Sequence, residues 1–289
     1  MEWYVFALMA ALLSGVAMVL QKKVLFKEHS VEFNTVSKFF QAALVLFLLP
    51  FLNFNFPWWL LVVLYFVSIF AVAAIILETK AYRHLELSSV APLSNLSPVF
   101  LLIFAFLFLG EKIGSLQIAG ISVLVLGSYF LEANHHWADV RSVFNSLRSK
   151  YVTYFFISLF IGVFLGLSYK YLVNIGINIL SLVFLYYIFT WLNFTIITFL
   201  FYDGFKNIKH GIKSQGFPIF LIALFYVAHK WIYLKALTLG FISLVVPIMR
   251  TGVLLSTFIG GELFHEKHVL QRTLACAVMI FGAYLIIVG

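Results

Sequence analysis

The chain has 289 residues, of which 63% are hydrophobic and only 10% charged, with a mean hydropathy of +1.06. Apolar runs along the whole length exclude a water-soluble domain and predict a polytopic membrane protein. The formal charge of +8 resides mainly in the loops between those runs, which points to anionic lipid headgroups rather than nucleic acid as the neighbours of the basic residues.

A bilayer core takes about 20 apolar residues per helix, and ten stretches fit that length. In the first half they run near Trp3 to Gln21, Phe33 to Leu52, Trp58 to Leu77, Leu87 to Leu109 and Leu116 to Leu131. In the second they run near Val152 to Leu172, Ile179 to Phe201, Phe217 to Leu234, Phe241 to Phe264 and Val269 to Val288. The first stretch has no basic n-region and no small-residue cleavage site, so it reads as a retained helix rather than a signal peptide. The only long polar connection, Glu132 to Lys150, joins the halves. The single cysteine, Cys276, excludes an intrachain disulfide or a cysteine metal cage and reads as a small packing residue.

The halves repeat one another. Lys80 to Lys112 recurs without a gap as Lys235 to Lys267, pairing Lys80/Lys235, Ala81/Ala236, Ser88/Ser243, Val90/Val245, Pro92/Pro247, Glu111/Glu266 and Lys112/Lys267. Gly127/Gly282 and Tyr129/Tyr284 keep the same offset. Earlier in each half a second offset pairs Gly15/Gly162, Val16/Val163, Leu20/Leu167, Lys23/Lys170 and Leu25/Leu172. A polar loop from Phe205, longer than its counterpart around Asn53 to Pro57, reconciles the two offsets.

Five spans per half is odd, so the second copy enters the membrane from the opposite side. The expected fold is an all-α membrane protein of ten transmembrane helices in two inverted five-helix repeats, residues 1–134 and 151–289, joined by a polar linker at 135–150. Most of the 19 Lys and Arg lie in loops on the side opposite the termini, which by the positive-inside rule puts both termini outside the cytoplasm.

The residues able to carry chemistry lie within spans. On the ninth span Ser243, Pro247, Arg250, Leu254, Thr257 and Gly261 follow a helical stripe, and on the fourth Ser88, Pro92 and Asn95 begin the equivalent one. Pro92 and Pro247 free backbone carbonyls in mid-helix, for a packing kink or for the lining and gating of a cavity. Arg250 is the most informative residue. A cation at that depth costs roughly 3 kcal/mol on insertion scales, so it faces either a buried partner or the carboxylate or phosphate of a bound solute.

The eighth span carries Tyr226, His229, Lys230, Trp231 and Tyr233. His229 reads first as a neutral core residue with one hydrogen bond and second as the carrier of a coupling proton, while Tyr226, Trp231 and Tyr233 would supply walls. Lys230, Lys23 and Lys170 read most simply as snorkelling to the interface. Glu78, at the expected end of the third span, is either solvated or a cation partner. Thr190, Trp191 and Asn193 read as interhelical glue. His265-Glu266-Lys267-His268 and His135-His136 lack a third ligand, and no nucleotide-binding, metalloprotease or nucleophile-elbow motif is present.

The Lys80/Tyr82 end of the third span, the small-residue-and-proline start of the fourth, and Gly110-Glu111-Lys112 followed by Gly120 and Gly127 resemble the EamA family of the drug/metabolite transporter superfamily. In the second half the glycine of that motif is replaced, giving His265-Glu266-Lys267. The resemblance implies a carrier of small organic solutes that works without ATP, with a central cavity lined by spans one, three, four, six, eight and nine. It also implies termini in the cytoplasm, against the loop charges.

The expected function is therefore a secondary, alternating-access transporter of a small anionic or zwitterionic metabolite such as an amino acid, in the cell (inner) membrane. The expected site comprises Arg250, Asn95, Ser88, Ser243, Tyr226, His229, Trp231, Tyr233 and Glu78, with Pro92 and Pro247 as kinks. The expected partners are the solute, the lipid bilayer and a coupling proton or counter-substrate, with no cofactor, metal or nucleic acid; the chain is a monomer or homodimer. The alternative is a non-transporting scaffold or sensor on the same fold, and no catalytic group suggests an enzyme.

Overall fold

The computed structural model describes residues 2–25, 28–84, 96–132, 150–201, 205–252 and 269–289. Ten α-helices occur among them: α1 Trp3–Leu25, α2 Ser30–Val45, α3 Trp59–His84, α4 Leu96–Leu109, α5 Ser115–Glu132, α6 Lys150–Asn174, α7 Ile179–Phe201, α8 Phe205–Leu239, α9 Ile242–Arg250 and α10 Val269–Val288. They follow the ten apolar stretches in order. Five contain segments long and apolar enough to cross a membrane: Trp3–Leu25, Trp59–Ala81, Lys150–Asn174, Ile179–Phe201 and Gly211–Leu239.

The expected boundaries move at three places. The helix α3 runs on to His84, so Glu78 lies inside a helix rather than at a solvated end. The second apolar stretch ends its α-helix at Val45 and continues as a short 3-10 turn, Leu46–Phe51, containing Pro50. The polar stretch from Phe205, expected as a loop, is helical; it is offset from the rest of α8 by a break at Gln215 (φ −136°, ψ 25°). Pro218 falls in the first turn beyond that break, where its missing N–H is not needed.

The outer face is apolar where lipid would meet it, with Phe47, Phe66, Phe106, Leu200 and Phe217 exposed. Exposed Trp58 and Trp59 stand at the start of α3, the position of an interfacial aromatic belt. Inside, polar residues join the helices. Thr35 on α2 shares a 2.8 Å hydrogen bond with Thr198 on α7, Asn34 donates to Thr79 of α3 at 3.0 Å, and Asn193 donates to Ser68 of α3 at 2.8 Å. Asn193 and Thr190, read from sequence as interhelical glue, are both buried.

Helix partners cross between the halves. The helix α1 packs on α8 and α9, while α6 packs on α3 and α4; α2 packs on α7 and α8, and α7 on α3; α4 meets α9, and α5 meets α10.

The α5–α10 contact is a close approach of two helices that glycine makes possible. A Cβ on Gly120 would fall 2.8 Å from the Gly282 carbonyl, and one on Gly282 would fall 2.7 Å from the Leu124 nitrogen. Because backbone rather than a movable side chain blocks the space, no larger residue fits without separating the helices. Gly120, Gly127 and Gly282 are therefore consumed within the chain. Gly282→Leu is expected to destabilise the protein by about 2 kcal/mol through overpacking, read as a lowered thermal midpoint of the detergent-solubilised protein; Gly162→Leu, where a Cβ meets nothing within 4 Å, is the control.

Candidate functional site

Two polar assemblies organise the interior. The first ties the corner between α8 and α9, where only Gly240 and Phe241 separate the helices. Phe241 occupies the N-cap of α9 and has no side chain able to cap it. Glu111 does so from the turn after α4: its carboxylate accepts from the Ile242 N–H at 2.9 Å, the Ser243 N–H at 3.1 Å and the Ser243 hydroxyl at 2.5 Å. An anion at a helix N-terminus satisfies orphan donors and complements the helix dipole.

Gly110 makes that reach possible. It ends α4 at φ 65°, a left-handed conformation that glycine adopts without penalty. The Glu111 N–H then returns to the Ala105 carbonyl at 3.3 Å, six residues back, which folds the turn against the end of α4. On the other side of the corner, Lys170 donates to the Leu237 carbonyl at 2.6 Å and the Gly240 carbonyl at 2.8 Å. Lys170 is buried, so the expected snorkelling gives way to capping: acceptors at the end of α8 lie closer than the interface does.

The second assembly lies deeper. Lys230 places its ammonium 3.6 Å from the ring centre of Tyr169 on α6, 4.3 Å from Tyr186 on α7 and 5.7 Å from Tyr233. Its contacts are ring faces, not the interfacial water expected of a snorkelling lysine. Lys38 on α2, buried where Lys230 is half-buried, donates to Gln41 at 2.8 Å and lies 5.6 Å from the same Tyr186 ring and 5.3 Å from Tyr187. The Tyr169 hydroxyl is buried and makes no hydrogen bond.

Other expected site residues surround this box. Tyr226 donates to Gln21 of α1, and its own carbonyl accepts from the Tyr187 hydroxyl at 2.7 Å. His229 makes one hydrogen bond through Nδ1 to the Ala10 carbonyl at 3.0 Å and stacks on Tyr233 at 6.2 Å, as the core reading of that histidine anticipates. Glu78 is half-buried and within electrostatic reach of Tyr186 and Tyr226. Arg250, at the end of α9, donates to the Ser97 hydroxyl of α4 at 2.6 Å, so it bridges the two halves.

Two expected members stand apart. Ser243 is buried with its hydroxyl held by Glu111, and Trp231 is 44% exposed on the periphery of α8. Pro247 is buried within α9. Ser88, Pro92 and Asn95 lie outside the described residues, as do Leu254, Thr257, Gly261 and the 133–149 connection. The residues that sequence reasoning passed over are Lys38, Gln41, Ser97, Glu111, Tyr169, Tyr186 and Tyr187. A signal existed on α2, where Ser30, Asn34, Ser37, Lys38 and Gln41 recur at helical spacing and are all buried.

A separate cavity of about 470 Å³ opens near the starts of α2 and α6, among His29, Glu32, Lys80, Arg83, His84 and Lys150. His84 stacks on Tyr151 at 4.0 Å there, and Arg83 meets His29 at 2.6 Å.

The corner makes a stability prediction. Glu111→Ala leaves two buried N–H groups and a hydroxyl without an acceptor and is expected to cost about 3 kcal/mol, whereas Glu111→Gln, which keeps one acceptor oxygen, costs about 1 kcal/mol. Thermal unfolding of the two variants side by side checks the order.

Comparison with solved structures finds one titled only as the crystal structure of a protein, 13% identical, which covers 98% of this chain and 95% of its own at a TM-score of 0.75. At that identity the likeness is one of fold. No curated protein matches. The model of the EamA-like transporter family matches residues 1–132, so the resemblance read from the residues holds over nearly half of the chain and points to a multi-pass membrane transporter of the drug/metabolite type.

Proposed function

We propose that the protein is a secondary, alternating-access carrier of a small anionic or zwitterionic metabolite in the cell membrane, built from two inverted five-span repeats at residues 1–134 and 151–289. The cross-half packing supports the repeat reading. Exchanging the halves turns α1–α8 into α6–α3, α1–α9 into α6–α4 and α2–α8 into α7–α3, and each of these pairs is in contact. A pseudo-two-fold axis of this kind places a solute site between the repeats, where rocking exposes it to either side in turn.

The observation that carries the reading is the cationic interior. Arg250, Lys230 and Lys38 occupy helices of both halves in a chain whose outer face is apolar, and a membrane protein retains charge at such depth for a pathway or a site. Arg250 is the proposed anion contact, with Ser97 fixing its fork. Tyr226, His229 and Tyr233 form walls, and Glu78 faces the same tyrosines. By repeat register, Asn95 and Ser88 are the proposed hydrogen-bonding neighbours on the first-half side, and Pro92 and Pro247 the paired kinks.

The test is uptake into proteoliposomes together with thermal-shift screening against amino acids, organic acids and phosphorylated metabolites. Arg250→Gln is expected to weaken the stabilising solute by roughly 10- to 100-fold, the worth of one charge-assisted hydrogen-bonded contact. On a Cys276→Ser background, single cysteines along α4 and α9 should switch their accessibility between the two sides when that solute is added. Fixed accessibility at every position would favour the scaffold reading.

A further inference from the structure

We infer that Lys38, Lys230 and the Tyr169 hydroxyl form an oxyanion subsite, built to take a carboxylate or phosphate group between α2, α6, α7 and α8. It deepens the carrier reading by adding, besides the Arg250 contact, a place for an oxyanion group of the solute, and it rests on that reading for its purpose but not for its chemistry.

The three lysines inside spans show what a satisfied ammonium looks like here and what does not. Lys170 donates to two carbonyls at 2.6 and 2.8 Å. Among the described residues Lys38 has one oxygen partner, Gln41, which is itself committed as a donor to Ser37 at 3.2 Å. Lys230 has ring faces and, among the described residues, no oxygen at all. Each ammonium has three donors to place, so the pair is short of acceptors while Lys170 is not.

Aromatic faces attract a cation but accept no strong hydrogen bond, so they hold an ammonium in position without consuming its donors. Both lysines address the same ring, Tyr186, at 5.6 and 4.3 Å, so one aromatic ring links the two cations. The buried Tyr169 hydroxyl is a third donor without a partner. Tyr169 carries the ring nearest Lys230 and meets Tyr186 edge-on at 5.9 Å. Two ammonium groups and a phenol, all short of acceptors, describe the donor set for an oxyanion: two positive charges oppose its charge, and the lone pairs of its oxygens satisfy the leftover N–H and O–H groups.

Depth excludes a lipid headgroup as the natural source. At 1.5 Å per residue Lys38 stands about 12 Å into α2, and Lys230 stands about 13 Å before the end of α8. Both therefore lie near the middle of a hydrocarbon layer about 30 Å thick. A solute delivered through the interior reaches that level; a headgroup does not.

The experiment titrates detergent-purified full-length protein with sodium phosphate and with sodium succinate, against sodium chloride at matched ionic strength, following the thermal midpoint. The wild type should show a saturable rise with phosphate or succinate beyond that of chloride. Lys38→Met and Lys230→Met should each raise the apparent Kd about tenfold or more, with Lys213→Met, at an exposed helical position, unchanged. Tyr169→Phe guards against misfolded lysine variants, because it removes only a hydroxyl that no partner holds: its midpoint without anion should be unchanged or higher, while its apparent Kd rises several-fold. A wild type that responds to neither anion beyond chloride overturns the subsite, as does a response that survives intact in Tyr169→Phe and both lysine variants. Adding vesicles of anionic lipid alongside the phosphate or succinate should not compete with the anion; competition would assign the donors to a headgroup and overturn the solute site. Anion binding lost in these variants without proteoliposome uptake of any solute would uphold the subsite and sink the carrier reading. Solute uptake that is unaffected in the Lys230→Met variant would do the opposite.

Discussion

Backbone groups buried away from water must find a partner within the protein, and the α8–α9 corner meets that demand with charged side chains. A helix ends and another begins across two residues, leaving carbonyls on one side and N–H groups on the other. Neither Gly240 nor Phe241 has a side chain to help. The structure answers with a carboxylate and an ammonium from two other helices, Glu111 on the N–H groups and Lys170 on the carbonyls. These charges match the signs of the helix ends they face, and they fix α4, α6, α8 and α9 to one another at a single point. The positions of Arg250 on α9 and of Tyr169 on α6 follow from that tie.

The same demand sorts the buried cations. A lysine whose donors are consumed by carbonyls is part of the scaffold, and its removal is a stability matter. A lysine among ring faces keeps its donors available, and its position is held by quadrupoles and packing instead. Lys170 and Lys230 both read as span-end or interfacial lysines from hydropathy alone, yet they belong to different classes once their partners are named. Arg250 lies between these cases, since among the described residues one bond, to Ser97, uses one of its five donors.

Much of the architecture was legible because hydrophobic length and repetition are long-range signals. The ten stretches became ten helices in the same order, and the shared Glu-Lys pair flagged a position whose structural task the corner explains. The site was less legible. Trp231 reads as a wall residue on a one-dimensional scan, but it faces outward, because polarity near a histidine does not fix which side of a helix meets neighbours. Lys38 sits among Ser30, Asn34, Ser37 and Gln41 on a stripe as regular as that of α9, but α2 lies outside the repeated segment, so no matched residue in the other half singles it out. Tyr186 and Tyr187 sit in so aromatic a chain that nothing in composition separates them from lipid-facing rings. Glu111 acts on a helix 131 residues away in sequence, a contact that only the folded packing can supply.

The two halves, if they descend from one unit, now perform different tasks at matched positions. Lys170 is buried and bound to two carbonyls, whereas its counterpart Lys23 is exposed on α1. Arg250 stands opposite the neutral Asn95, and Lys230 opposite Ile75. Symmetry of backbone with asymmetry of charge is what a carrier needs. In the carrier proposed above, the repeat would supply two interconvertible arrangements, and the unequal side chains would decide which half holds the anion. A scaffold gains nothing from the second feature, because buried charge without a ligand destabilises the fold that carries it. The retention of three such cations in the interior, two of them on one half of the chain, is therefore the strongest physical argument that this interior is meant to be occupied.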